Sequence, residues 1–128
     1  MDSGSVDDAN AKTRAQVDEF RRRDAKVLEV LRSKGVDLGI PREIDLHFLA
    51  PSKDVALRLV AALQSAHTGA ASIGDTKSGV SEISVTFTVT TSVKVVTAAA
   101  HVERRIRLAA SLGATHDGWG TSVKPRGG

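Results

Sequence analysis

Cysteine and tyrosine are absent from the 128 residues, and the aromatic complement is one Trp and three Phe. Without cysteine there is no disulfide, no thiolate nucleophile and no Cys-built zinc or iron–sulfur site. No apolar run approaches the ~20 residues needed to cross a bilayer. The opening Met1-Asp2-Ser3-Gly4-Ser5 is polar and acidic, unlike the basic-then-apolar start of a signal peptide. The eleven glycines form neither a G-x-x-x-x-G-K-[ST] loop nor a G-x-G-x-x-G turn, so nucleotide binding has no support. No G-x-S-x-G elbow is present to expose a serine nucleophile. A soluble, cytoplasmic protein is expected, with no cofactor and no enzymatic activity.

Charge is present but thinly spread. Residues 1–40 hold eight Lys/Arg and eight Asp/Glu, while residues 41–128 hold ten and seven, which places the whole net charge of +3 in the second part. Arg21-Arg22-Arg23 follows Asp18-Glu19 and precedes Asp24, the pattern of a solvated helix face. Arg104, Arg105 and Arg107 form a second cluster, which with Lys94 makes a modest basic patch. A nucleic-acid domain normally clusters its basic residues and interleaves aromatics, which this chain does not.

A chain of this length forms one domain and buries roughly two-thirds of its unfolded surface. Residues 1–8 carry no periodicity and are expected to be disordered. Residues 9–35 read as a leading helix with Val17, Phe20, Val27, Leu28 and Leu31 on one stripe, closed by Gly35. Arg42 to Leu49 alternates as a half-buried strand with Ile44, Leu46 and Phe48 inward. Ser52 caps a helix that carries Val55, Leu59, Ala62, Leu63 and Ala66 on one face. Gly69 to Asp75 is a weak strand, and Thr76 to Gly79 a turn. Ser81 to Thr91 is the clearest strand, followed by a helix over roughly 93–112 that Gly113 ends. A short last strand leads into a turn at His116–Thr121, and 124–128 is a frayed tail. With the leading helix set aside, 41–123 reads β-α-β-β-α-β. This order predicts a ferredoxin-like α+β sandwich, with a four-stranded antiparallel sheet and two helices on one face. The leading helix either covers part of the other face or packs at its edge.

That other face would carry Glu43, Asp45 and His47 from the first strand and Ser84, Thr86, Thr88 and Thr90 from the third. Glu43, Asp45 and His47 stand at i, i+2 and i+4, with outer Cβ atoms ~13 Å apart. Carboxylates and an imidazole can bind a divalent ion or exchange protons, but this spacing is open and nothing else completes a site. An open polar platform is the expectation. His67 and His101 read as ordinary surface or boundary residues.

The remaining feature is His116-Asp117-Gly118-Trp119-Gly120-Thr121, which holds the single Trp between two glycines. Trp119 either plugs the core against the first strand and third helix or presents its ring to a partner. The segment Asp117-Gly118-Trp119-Gly120-Thr121 resembles the D-G-W-G-T that closes the RraB domain, a family of regulators of ribonuclease E activity. The charged leading helix, the Pro41-Arg42-Glu43-Ile44-Asp45 strand, the acidic helix start and the third helix ending in Gly also correspond, over roughly residues 15–123. The resemblance implies a protein-binding domain without catalysis. Named members bind the degradosome endoribonuclease outside its catalytic domain and lower RNA cleavage. Those members are acidic with an acidic tail, whereas this chain is basic and stops at Pro125-Arg126-Gly127-Gly128.

The expected partner is therefore a protein, in particular a ribonuclease of the degradosome. The expected contact residues are Glu43, Asp45, His47, Thr86 and Thr88 of the platform together with Asp117–Thr121. The alternative is a small RNA-binding module using the sheet face and the Arg104–Arg107 patch, although sheet-face RNA readers normally stack bases on aromatics. A hydrolase built on Glu43, Asp45 and His47 ranks third. A toxin-neutralising immunity protein would also be a small binding domain without a site signature.

Overall fold

The computed structural model describes residues 3–74 and 82–121, with side chains from Ala11 onward. Its elements are α1 (Ser3–Ser33), β1 (Arg42–Ala50), α2 (Lys53–Ala66), β2 (Gly69–Ile73), β3 (Ile83–Thr91), α3 (Val93–Val96), α4 (Ala99–Ser111) and β4 (Thr115–Thr121). The strands form one antiparallel sheet in the order β2-β3-β1-β4. This is the strand order of the ferredoxin-like sandwich.

Alternation in the sequence builds the core. Ile44, Leu46, Phe48 and Ala50 of β1 pair in register with Val89, Phe87, Val85 and Ile83 of β3, and all eight are buried. Successive strand side chains point to opposite faces, so this register places every large apolar residue of both strands on one side. Helix α2 covers that side with Ala56, Leu59 and Leu63, started by Ser52, whose Oγ accepts from the Val55 N–H. Helix α4 covers the β4 side and packs on α1. Helices α1 and α4 each end in a glycine of positive φ, Gly35 and Gly113. The following N–H groups, of Val36 and Ala114, return to the carbonyls of Leu31 and Ala109, which closes both helices in the same way.

Three boundaries differ from expectation. Helix α1 starts at Ser3, so residues 3–8 continue it rather than lying outside it; no proline interrupts the stretch. The helix expected over 93–112 is two helices broken at Thr97-Ala98. Thr97 Oγ1 donates to the Val93 carbonyl, and the Val96 carbonyl accepts from Arg105 Nη2 at 2.7 Å. The Val93 carbonyl keeps its backbone bond from the Thr97 N–H as well, while Arg105 takes the Val96 carbonyl that a continuous helix would have paired with residue 100. Finally, His116–Thr121 belongs to strand β4, not to a turn. The turn at 76–79 and the tail at 124–128 lie outside the described residues.

Leu59 is fully buried at the centre of α2. Leu59→Ala should cost ~2–5 kcal/mol of unfolding free energy, measured by urea titration.

Candidate functional site

Among the described residues one face of the sheet is covered by no helix, and its centre is polar. Asp45 stands opposite Thr88 and His47 opposite Thr86, with Glu43 opposite Thr90 and Leu49 opposite Ser84. Thr88 Oγ1 donates to Asp45 Oδ1 at 2.6 Å, and Thr86 Oγ1 lies 3.4 Å from His47 Nδ1. Glu43 is exposed, while Asp45, His47, Thr86 and Thr88 are half-buried. The expected platform residues Glu43, Asp45, His47, Thr86 and Thr88 therefore do come together. They are flanked by little: Ala70 and Ser72 of β2 face Thr88 and Thr86, and β4 presents Gly120 and Gly118 to Asp45 and His47. Side chains are missing at both glycines, so β4 adds only backbone beside the central pairs. The two carboxylates are the only charges in these rows. Among the described residues no three His, Asp or Glu converge to hold a metal ion.

The pentad divides between the faces because β4 carries a bulge. Phe48 pairs with His116 but the neighbouring His47 pairs with Gly118, which leaves Asp117 as the extra, exposed residue. Gly118 takes φ +129, a conformation strained for any residue with a Cβ. In a regular strand His116 and Trp119 would point to opposite faces. One inserted residue turns both toward the helices. Thr121 closes the strand by donating from Oγ1 to the Glu43 carbonyl. Trp119 and the platform thus lie on opposite sides of the sheet.

On the helix side Trp119 meets a residue the sequence stripe did not reveal. Among the described side chains of α1, from Ala11 onward, Thr13, Val17, Asp24 and Leu31 are buried, with Phe20 and Leu28 half-buried, whereas Val27 is exposed. Asp24 continues the apolar series at helical spacing. Its Oδ1 accepts the Trp119 indole N–H at 2.8 Å. Its Oδ2 and the Nε of Arg105 are buried without a protein partner. Burial raises the Asp24 pKa above the ordinary carboxylate value, against the indole hydrogen bond and the field of Arg105. Burial likewise brings Arg105 down to about 10, opposed by Asp24. His116 sits between Phe20 (ring centroids 4.8 Å apart) and Phe48 (5.2 Å), and burial together with Arg105 pushes it down to about 3. Arg105 is therefore not part of a surface patch. It turns inward, leaving Arg104 and Arg107 exposed, and this removes the centre of the expected basic cluster.

Two outcomes follow. Trp119→Phe keeps the ring but leaves Asp24 without its donor, and should cost ~1–3 kcal/mol by chemical denaturation. His116 is neutral in the fold and takes up a proton more readily when unfolded, so its contribution is complete above about pH 6.5 and is lost as pH falls toward about 3. His116→Leu should flatten the stability curve in that window, by at most ~1.4 kcal/mol per pH unit, measured against wild type at matched pH. The raised pKa of Asp24 acts with the opposite sign in acid and is common to both proteins.

Among the described residues no helix is long and apolar enough to cross a membrane. No curated protein matches the sequence significantly. The family model described as RraB, regulator of ribonuclease activity B, matches residues 21–121. That span begins within α1, ends at Thr121 and contains the whole sheet and the half-buried Asp24–Trp119 contact. The chain belongs to the RraB family of regulators of ribonuclease activity.

Proposed function

We propose that the protein regulates a ribonuclease by binding it through the free sheet face, without performing chemistry itself. The observation that carries this reading is the pairing of Asp45 with Thr88 and His47 with Thr86 on a face that no described helix covers. Helix α1 packs on α4 at the opposite side, so the platform stays open. Membership in a regulator family supports a protein partner. The degradosome endoribonuclease is the partner to test first, and the cytoplasm the compartment.

The net charge of +3 does not set the chemistry of this surface. Charges act over about one Debye length, ~8 Å at physiological salt, and within the central rows Glu43 and Asp45 are the charges available. The platform therefore suits a basic partner segment, held by two carboxylates and a row of hydroxyls. Direct RNA binding is disfavoured by the same rows. They offer no aromatic ring for a base to stack on, and they oppose phosphate with carboxylates.

Asp45→Lys combined with Thr86→Lys removes the Thr88–Asp45 and Thr86–His47 contacts and should lower stability by ~1–3 kcal/mol while leaving the protein folded, checked by its melting transition. The double variant should lose retention of the ribonuclease in a pull-down and lose its effect on RNA cleavage. Undiminished retention with an intact fold would remove the sheet face from the interaction.

A further inference from the structure

Between the C-terminal half of α2 and helix α4 the sandwich is not closed. A cleft of about 560 Å³ opens there onto the core side of the sheet, within the ~300–1,000 Å³ of small-molecule sites. Its inner wall is apolar and includes Leu46, Leu63, Val89 and Leu108, and Val95 stands 42% exposed at its side. Thr68, Thr90 and Thr91 contribute hydroxyls, and the ionisable groups are all of one kind. His67, His101, Arg104 and Arg105 line the cleft, and no carboxylate does. Arg105 is 7% exposed, and its Nε is buried without a protein partner while Nη2 is held by the Val96 carbonyl. Nε itself has no exposed surface, so the guanidinium acts on the cleft through its charge, which favours an anion over a cation there. His101 is disfavoured as a cation by its burial and by Arg104 and Arg105, which line the same opening.

We infer that this cleft binds a small amphipathic carboxylate, its apolar body against Leu46, Leu63 and Leu108 and its carboxylate toward Arg104 and Arg105. The apolar walls supply affinity by removing hydrocarbon from water. The arginines select the anion over a cation or an alcohol of the same length. The cleft lies on the opposite side of the sheet from the platform, so ligand and protein partner occupy different surfaces. Arg105 also caps α3 and lies in the field of Asp24, which links cleft occupancy to the seat of α1.

Octanoate is the probe, titrated into the labelled full chain and followed by amide and histidine-ring NMR, with octyltrimethylammonium as the charge-reversed control. Saturable one-to-one binding is expected, with shifts at His67, His101 and the end of α2 and a rise in the His101 pKa. The control should produce no such shifts. Arg104→Gln should weaken octanoate at least about tenfold, the size of one lost charge-assisted contact. Ala62→Phe, which fills the cleft from its half-buried wall position, should abolish binding while the platform resonances stay in place. Non-saturating shifts, equal binding of the cation, or indifference to Ala62→Phe would overturn the inference. So would shifts at these residues on adding the ribonuclease but none with octanoate, since the cleft would then be a groove for the protein partner.

Discussion

A single inserted residue in an edge strand decides what each side of this sheet can do. Asp117 breaks the alternation of β4, so His116 and Trp119, three apart, both face the helices. Trp119 reaches Asp24 and His116 packs between Phe20 and Phe48, which fixes α1 beside α4 at the end of the helical layer. Gly118 makes the bulge possible through its positive φ, and Gly120 keeps the strand bare beside His47 and Asp45. The D-G-W-G-T segment is thus a device for anchoring a helix on one face and clearing the other.

The polar groups buried at this anchor are incompletely paired. Asp24 has one oxygen satisfied, and Arg105 uses Nη2 on the Val96 carbonyl while Nε finds nothing. Unpaired buried groups cost stability relative to an apolar contact, so their presence here is better accounted for by specificity of packing than by strength. Asp24 provides the single acceptor that the indole needs, and an apolar residue at that position could not fix the ring in the same way. The result is an anchored α1 on one side, a platform with two carboxylates on the other, and an electropositive cleft between α2 and α4.

Strand alternation and helix capping were legible in the sequence because each depends on local spacing. The β1 and β3 rows, the Ser52 cap and the glycine closures at 35 and 113 all lie where their residue types place them. The strand order followed from the β-α-β-β-α-β sequence of elements. The bulge did not follow, since G-W-G reads equally as a turn until β1 is known to pair beside it. Asp24 was hidden because a carboxylate interrupts an apolar stripe. Its spacing of four from both Phe20 and Leu28, together with an indole needing an acceptor, was the available signal. In the sequence Arg105 groups with its neighbours as a surface patch, because only the break after α3 shows which arginine turns inward.

NMR mapping with the ribonuclease added to the labelled chain tests the division of the two faces most directly. The open-face assignment predicts shifts at Asp45, His47, Thr86 and Thr88, with the Trp119 indole N–H resonance unmoved in its bond to Asp24. A partner that moves the indole and α1 resonances while leaving those four residues unchanged would contradict it.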